Sequence, residues 1–286
     1  MNSRIILGTV QFGLRYGINN QNGKPAIEQV FKMLELASER GVGILDTADA
    51  YGNATELLGE FNRLNPGAFK INTKFKVGQQ SIEEQLAGSL LQLSADSINT
   101  YFFHSFDDFL NKPELLSDLV SLKEKGLIKK TGVSVYGNDE FELAINTQGV
   151  DVIQFPFNLL DNRFQRGRIM VLAKEKGKEL QVRSVFLQGL FFKPPKELPE
   201  KLFPLKPYLK TVSDIAYENN LSIENLALMY SCSQPEIDYV IIGVDNPLQL
   251  QKNLNACQQN ISEEVAVLIN QIAVQETDLL YPKNWN

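Results

Sequence analysis

Four residues in the first 104 positions carry the side chains of an acid–base site: Asp46, Tyr51, Lys74 and His104. Asp46, Lys74 and His104 each close a short apolar run that is typical of a buried strand. In a parallel barrel the carboxyl ends of the strands converge on one face, so these side chains are expected to meet there. Tyr51 would lie on the loop just beyond Asp46. The pattern therefore predicts one cluster of four groups.

Each member of this cluster has a chemical task. Tyrosine holds its proton too tightly to donate it readily at pH 7, but a nearby ammonium such as that of Lys74 stabilises the phenolate. Asp46 would keep the ammonium charged and in place, and His104 could orient a carbonyl or relay the proton. The set suits the addition of a proton to a carbonyl oxygen while a separate donor delivers hydride to the carbon.

The motifs Asp46-Thr-Ala-Asp-Ala-Tyr51-Gly, Thr73-Lys74 and Tyr101-Phe-Phe-His104 resemble the aldo-keto reductase superfamily in residue type and in order. The resemblance extends from residue 7 to about residue 253. It implies that the four residues form a catalytic tetrad, which reduces an aldehyde or ketone with NADPH or NADH as cofactor. Taken singly, each residue has an ordinary structural explanation, such as a helix cap, a turn, a surface lysine or a core histidine. Only the joint arrangement favours catalysis.

The same resemblance implies a set of cofactor contacts. Ser134 and Gln154 match positions that bind the nicotinamide carboxamide, whereas Val135 replaces an asparagine of the family. Arg183 stands where an aromatic residue often stacks on the nicotinamide ring, and a guanidinium plane can also stack. Lys193 could meet the pyrophosphate. The complete implied set is Gly8, Thr9, Asp46, Ser134, Gln154, Arg183, Ser184, Phe186, Leu187, Gln188, Gly189, Lys193, Gly243, Asp245, Gln249 and Asn253.

The segment expected to hold the adenosine end differs from the family in charge. Asn246 fits a helix N-cap, with Pro247 as first helical residue and Gln249 as capping-box partner. Many relatives place a basic residue at position 245 or 249, where it binds the 2′-phosphate of NADP. The Asp245 carboxylate would repel that phosphate, so we expect weak or reversed discrimination in favour of NADPH. The alternative is that Asp245 faces away and only supports the helix dipole.

Short apolar runs alternate with longer amphipathic segments, a pattern typical of repeated strand–helix units. Eight strands are predicted, at residues 5–9, 43–46, 69–74, 100–104, 130–135, 150–155, 180–185 and 239–242. Helices are predicted at residues 27–40, 82–93, 113–125, 139–146, 162–176 and 247–257, two more between 205 and 233, and a final one at 263–274. Five prolines between residues 191 and 207 predict a long loop after strand seven.

Eight such units favour a closed barrel. An open dinucleotide-binding sheet normally carries a G-x-G-x-x-G fingerprint after its first strand, and the sequence has none. We therefore predict an α/β protein with one (β/α)8 TIM barrel domain over residues 1–286 and an extra C-terminal helix. The chain begins almost at its first strand, so the hairpin that plugs the barrel bottom in many relatives is expected to be very short or replaced by side chains.

Composition limits the partners and the location. The net charge is −6 and the basic residues are dispersed, which argues against nucleic acid and anionic membranes as partners. The two cysteines lack a CxxC spacing, and no secretory signal or membrane span is evident, so a reducing cytoplasm is expected. We expect a small-molecule carbonyl substrate and a monomer or weak oligomer.

Other functions fit less well. The segment Gly132-Val-Ser134-Val-Tyr136 misses the G-x-S-x-G motif of a hydrolase, and one histidine without an acidic cluster predicts no metal site. A cofactor-binding barrel that senses redox state and turns over slowly would keep the same residues, and it is the main alternative. Residues 132–136 and 154–158 look like a bacterial subgroup associated with sugar and polysaccharide metabolism, which suggests a sugar-like substrate. The C-terminal tail with Tyr281 and Trp285 either contributes to the pocket or frays.

Overall fold

The structure, a computed structural model, describes residues 4–20 and 23–285. Its eight strands all pair in parallel with their sequence neighbours, and the last strand pairs with the first, so the sheet closes into a barrel. The (β/α)8 prediction is confirmed. The strands are β1 (Ile5–Gly8), β2 (Ile44–Asp46), β3 (Lys70–Phe75), β4 (Ile98–Phe103), β5 (Ile128–Ser134), β6 (Val152–Pro156), β7 (Glu179–Arg183) and β8 (Tyr239–Gly243).

The helices connect successive strands on the outside of this barrel. In the described part of the chain they are α1 (Val10–Gly13), α2 (Ile27–Glu39), α3 (Ala54–Leu64), α4 (Ile82–Leu93), α5 (Phe106–Asn111), α6 (Leu115–Glu124), α7 (Asn138–Asn146), α8 (Arg163–Glu175), α9 (Lys206–Glu218), α10 (Ile223–Ser233), α11 (Pro247–Ala256) and α12 (Glu263–Asn270). The sequence analysis assigns neither α3 nor α5. It also extends the last helix to residue 274, whereas α12 ends at Asn270.

The proline-rich segment is not a plain loop. It contains the short 3-10 helices Pro195–Glu197 and Glu200–Leu205, and a further 3-10 stretch, Leu187–Phe192, leads into it with a kink at Gln188 and Gly189. Pro195 stands in the first turn of its helix, where the missing N–H group is not used, whereas Pro204 lies inside Glu200–Leu205. The prolines therefore exclude a long helix here but permit short 3-10 turns.

Isoleucine side chains of three neighbouring strands pack together. Ile6, Ile44 and Ile241 form a buried cluster, with Tyr239 packed against it. Arg4 lies just before β1 and donates hydrogen bonds to the carbonyls of Cys232 and Gln234, each at 2.8 Å, and to that of Ile237. These bonds tie the start of the chain to the loop that enters β8.

Closer to the carboxyl ends, the ring of Phe102 fills the space above Gly132. The two residues are paired in register across β4 and β5. A Cβ atom at Gly132 would lie 2.3 Å from the ring carbon Cδ1 of Phe102. The ring is fully buried, and its centroid lies 6.0 Å from the Lys74 Nζ atom. Gly132 therefore makes room for an aromatic ring that packs next to Lys74.

Candidate active site

A cavity of about 830 Å³ lies at the carboxyl ends of the strands. Residues at or near the ends of seven strands line it: Gly8, Asp46, Lys74, Ser134, Gln154, Arg183 and Gly243. Tyr51 and His104 follow β2 and β4 and line the same cavity. The structure therefore brings together all four residues that the sequence analysis predicts as a cluster, because parallel strands present their carboxyl ends on one face.

The Lys74 ammonium is the centre of this cluster. Its Nζ atom lies 2.5 Å from Asp46 Oδ1, 3.0 Å from the Thr47 carbonyl oxygen and 3.5 Å from the Tyr51 hydroxyl. Lys74 and Asp46 are both buried. Burial is the largest single effect and lowers the pKa of Lys74, but the charges of Asp46 and Tyr51 and the hydrogen bonds to both residues together outweigh it, so the pKa of Lys74 is raised. Lys74 is therefore a fixed cation at neutral pH.

Gln154 completes the surroundings of Asp46. The Gln154 Nε2 atom donates to Asp46 Oδ2 at 2.9 Å, while Lys74 occupies Oδ1. Both carboxylate oxygens thus have a partner, which fixes the orientation of Asp46. From the sequence, Gln154 is predicted to bind only the nicotinamide carboxamide. No local pattern indicates the hydrogen bond between Gln154 and Asp46, since the two residues are 108 positions apart.

Tyr51 is held by two glycines whose backbones approach it closely. A Cβ atom at Gly13 would lie 1.8 Å from the Tyr51 carbonyl oxygen, and one at Gly52 would lie 2.5 Å from the Gly13 carbonyl oxygen. Gly52 also has a positive φ of 58°, which glycine adopts most readily. Helix α1 therefore packs directly on the turn that carries Tyr51, and this contact sets the position of the phenol.

His104 lies on the other side of the phenol. The two rings meet edge to face, with centroids 6.2 Å apart and an interplanar angle of 89°. Burial, followed by the positive charges of Lys74, Lys76 and Arg183, lowers the pKa of His104 to about 4. Its Nδ1 atom is buried and has no hydrogen-bond partner among the described residues. His104 is therefore a neutral imidazole whose Nδ1 atom forms no hydrogen bond with the described residues.

The loop after β7 has an unusual backbone. Ser184, Leu187 and Gln188 have φ values of 61°, 47° and 53°, and Gly189 has 90°. The left-handed region costs a residue with a side chain about 1–2 kcal/mol. A residue outside the loop helps to hold this conformation, since Ile18 N donates a hydrogen bond to Gln188 O at 3.0 Å. Within the loop, Leu187 N donates to Ser184 O and Gly189 N donates to Phe186 O, each at 2.8 Å.

Two of the implied cofactor residues lie outside this cavity. The side chain of Leu187 is fully buried in the hydrophobic core, because its left-handed backbone directs it inward. Lys193 follows the first 3-10 helix and is not part of the cavity lining. The other fourteen implied residues, Gly8, Thr9, Asp46, Ser134, Gln154, Arg183, Ser184, Phe186, Gln188, Gly189, Gly243, Asp245, Gln249 and Asn253, all line it.

The end of the cavity near α11 fits the adenosine half of a dinucleotide. Asn246 caps α11 by accepting from Gln249 N at 2.9 Å, and Gln249 Oε1 accepts from Asp245 N at 2.8 Å. A Cβ atom at Gly243 would meet the Gln11 carboxamide at 2.3 Å. The Gln11 Oε1 atom is buried and has no hydrogen-bond partner among the described residues. An unsatisfied acceptor above a glycine is a suitable contact for a polar ligand.

Asp245 does not face away from this end. It lines the cavity, and its Oδ1 atom accepts a 3.3 Å hydrogen bond from Asn20 Nδ2. Burial raises the pKa of Asp245, an effect that the hydrogen bond with Gln249 partly offsets. Lys252 lines the same end. The sequence analysis missed this basic residue, although its spacing of three from Gln249 on a helix places both on one face.

Sequence comparison with known protein families identifies the family of this chain. The model of the Aldo/keto reductase family matches residues 4–274. The chain belongs to the aldo/keto reductase family. Members of this family are NAD(P)H-dependent oxidoreductases that act on carbonyl groups, and this chain is such an enzyme.

Among curated relatives, the NADH-specific methylglyoxal reductase of Escherichia coli is 26% identical over 274 residues, which cover 82% of this chain and 84% of the relative. An uncharacterised oxidoreductase of Bacillus subtilis is 25% identical and covers 82% of this chain and 85% of its own length. Among solved structures, an aldo-keto reductase of Bacillus halodurans in its holo form has a TM-score of 0.75 with 22% identity, covering 94% of this chain and 92% of that one.

Several lining residues of this aldo/keto reductase lie on the loop after α1, which the sequence analysis leaves unassigned. Tyr16, Asn19 and Asn20 line the cavity. Gln188 Nε2 donates to the Tyr16 hydroxyl at 2.9 Å, and Asn19 Nδ2 donates to the Gly189 carbonyl at 2.6 Å. Their position depends on contacts with a loop about 170 residues away, so no local pattern reveals them. No helix of the described chain is long and apolar enough to cross a membrane.

Proposed function

We propose that this enzyme reduces a small polar aldehyde or ketone to the alcohol, with Tyr51 as the proton donor. The position of Lys74 is the observation on which the proposal rests. This buried ammonium lies 2.5 Å from the Asp46 carboxylate and 3.5 Å from the Tyr51 hydroxyl. A cation at that distance stabilises the phenolate that remains after the proton has left. Bound NADH or NADPH supplies the hydride.

The remaining groups of the cluster position the reactants. Asp46 and the Thr47 carbonyl hold the ammonium in place, so its donors need not reorganise as charge develops on Tyr51. His104 is neutral, since its pKa is about 4, and it can donate a hydrogen bond to a carbonyl oxygen near the phenol without competing for the proton. The burial of Lys74 and Asp46 keeps water away from the ion pair.

The cofactor would be held along the length of the cavity. We assign the nicotinamide end to Ser134 and Gln154 and the pyrophosphate to the loop of residues 184–189. We assign the adenosine end to the segment from Gly243 to Asn253. Two features support this placement: a shared cavity and the glycine at position 243. Within the cavity, Arg183 packs on Tyr136, with its Cζ atom 4.2 Å from the ring centroid.

We further propose that NADH serves at least as well as NADPH. The Asp245 carboxylate at the adenosine end supports this preference, because it would repel a 2′-phosphate and accept from a ribose hydroxyl. Lys252 acts in the opposite direction, so the expected preference is modest. The relative from Escherichia coli is named as NADH-specific, which agrees with the direction. We also propose a cytoplasmic location, in line with the two free cysteines. We further propose that the protein is a monomer or associates weakly.

Steady-state assays with a panel of aldehydes and ketones test the proposed reaction. Tyr51→Phe should lower kcat by about a hundredfold or more, because general acid catalysis is lost, while the Kd for NADH changes little. Tyr217→Phe is the matched control, since Tyr217 is 85% exposed on α9 and should keep full activity. If the wild-type protein binds the dinucleotide but reduces no carbonyl in the panel, a redox-sensing barrel replaces the proposed enzyme.

A further inference from the structure

A second cavity of about 400 Å³ adjoins the active-site cavity on the side of the C-terminal tail. Tyr136 and Gln188 line both cavities, so the two meet at these side chains. The walls of the second cavity come from the loop after α1, the proline-rich segment and the tail: Ile18, Pro199, Leu202, Pro282, Lys283 and Trp285. We call this second cavity the annex.

The tail that forms one wall of the annex is fixed in place. Trp285 Nε1 donates to the Leu279 carbonyl at 2.8 Å. The ring of Tyr281 meets that of Tyr136 with centroids 5.3 Å apart, and its hydroxyl lies 3.5 Å from Arg166 NH2. The tail therefore folds back against Tyr136, and Trp285 lines the annex, while neither Tyr281 nor Trp285 lines the active-site cavity.

Two cations lie against the ring that separates the cavities. The Arg183 Cζ atom is 4.2 Å and the Lys283 Nζ atom 4.4 Å from the centroid of Tyr136. Arg183 donates to the Val135 carbonyl at 3.2 Å and to Ser184 Oγ at 3.5 Å. Within residues 4–20 and 23–285, neither cation forms an ion pair with a carboxylate. A cation–π contact places such a charge without neutralising it.

Four carboxylates lie near these cations or in the same cavity. Asp46 is bound to Lys74, whereas Glu140 Oε2 accepts from the Tyr136 backbone N–H at 2.6 Å and keeps its charge. Glu224 and Asp245 also line the large cavity, but they belong to α10 and to the turn before α11. Around His104 the positive charges predominate, since Lys74, Lys76 and Arg183 all lower its pKa after the larger effect of burial.

We propose that the carbonyl substrate carries an oxyanion, a carboxylate or a phosphate, which binds at the junction of the two cavities between Arg183 and Lys283. The guanidinium of Arg183 can bind an oxyanion through two parallel N–H donors, and Lys283 adds a point charge. The ring of Tyr136 and the walls of the active-site cavity would contact the carbon chain, because the carbonyl lies in that cavity and the oxyanion at its junction with the annex. This inference specifies the substrate class and rests on the proposed carbonyl reduction.

Paired substrates test the preference for an anion. We would compare 4-carboxybenzaldehyde with its methyl ester, and 4-formylphenyl phosphate with 4-methoxybenzaldehyde, at saturating NADH. The wild-type kcat/KM for at least one anion should exceed that of its neutral partner by about tenfold or more, mainly through KM, because a charge-assisted bond is lost in the neutral compound. The substrate pair with the larger ratio of kcat/KM, anion to neutral compound, shows whether the bound group is a carboxylate or a phosphate.

Substitutions then locate the site. Lys283→Gln and Arg183→Gln should each reduce the ratio of anion to neutral partner severalfold, and the double substitution should bring it close to one. Lys32→Gln is the charge-matched control, since Lys32 is exposed on α2 and lines neither cavity, and it should leave the ratio unchanged. Equal rates for both members of each pair in the wild-type enzyme would overturn the inference, as would an unchanged ratio in the double variant.

A binding experiment separates failure of this inference from failure of the proposed reaction. Trp285 is the only tryptophan in the chain and lines the annex, so its fluorescence reports on this cavity. Titration with 4-(hydroxymethyl)benzoate should change the emission at lower concentration than titration with its methyl ester, and Lys283→Gln should remove the difference. Carbonyl reduction without any preference for anions in either assay would overturn the inference alone, whereas anion binding without turnover would overturn the proposed reaction alone.

Discussion

Gly13 lies so close to Tyr51 that a Cβ atom at position 13 would be 1.8 Å from the Tyr51 carbonyl oxygen. The clash would be with backbone atoms, including Ala54 N at 2.7 Å, so a change of rotamer cannot relieve it. Helix α1 and the turn after β2 can therefore pack together only when position 13 has no side chain.

We expect Gly13→Ala to displace the turn that carries Tyr51. The hydroxyl would move away from Lys74, and kcat should fall at least tenfold, since small misplacements of reacting groups are costly. Overpacking of this kind typically lowers the free energy of unfolding by about 1–3 kcal/mol. Steady-state kinetics and denaturant unfolding measure both effects. The control is Gly78→Ala, which meets no atom within 4 Å and should change neither quantity.

The lowered pKa of His104 makes stability depend on pH. An unfolded chain takes up the imidazole proton below pH 6.5, whereas the folded protein, with a pKa of about 4, does so only near pH 4. Stability from this source is therefore lost as the pH falls from about 6.5 towards 4, by roughly 2 kcal/mol at pH 5. His104→Gln should remove this part of the pH dependence, as unfolding at pH 7 and pH 5 would show.

NMR observes the same group directly. His104 is the only histidine, so selective labelling gives a single imidazole signal. That signal should keep the shift of a neutral ring at every pH above about 5. An imidazole that titrates near pH 6.5 would contradict both the burial effect and the role of His104 as an uncharged hydrogen-bond donor.

A buried ion pair beneath the tail should contribute strongly to stability. Arg166 donates to Asp161 Oδ1 and Oδ2 at 2.7 and 2.8 Å, and both residues are at most 2% exposed. Arg166→Gln leaves the Asp161 charge without a cation and should cost about 3–5 kcal/mol in unfolding free energy. Arg163→Gln breaks the partly exposed bidentate pair with Glu236 and should cost less than Arg166→Gln, since solvent reaches this pair. Similar losses in the two variants would refute the distinction.

Cofactor preference should follow the two charges at the adenosine end. Asp245→Asn removes the repulsion of a 2′-phosphate and should lower the Kd of NADPH by about three- to tenfold, with a smaller change for NADH. Lys252→Gln should have the opposite effect on NADPH. Fluorescence titration with each dinucleotide measures these constants. A wild-type enzyme that prefers NADPH a hundredfold would show that Asp245 does not govern the choice.

The sequence predicts the barrel and the cluster because both depend on strand ends. Short buried strands are visible as apolar runs, and Asp46, Lys74 and His104 follow from where those runs stop. Family membership and the (β/α)8 fold are confirmed, while the roles of the individual side chains stay predictions. Lys252 can be predicted from the sequence as a residue of this site, since helical spacing places it on the same face as Gln249.

Other features could not be predicted from the sequence. Leu187 and Gln188 adopt left-handed backbones, which their residue types normally avoid, and hydrogen bonds within the loop and from Ile18 in the distant loop after α1 hold that conformation. The role of Gly13 depends on a turn nearly forty residues further along the chain. Helix α3 was missed because the turn at Gly52 obscures its start. These features depend on tertiary contacts, which local patterns do not record.

Closure of the sheet by β8 and β1 leaves each of the eight described strands with a hydrogen-bonded neighbour on both sides. Unpaired strand edges are the usual templates on which folded chains add to one another and form aggregates. This barrel offers no such edge in its folded state. Growth of a sheet shared between copies of the protein on these eight strands would first require the barrel to open.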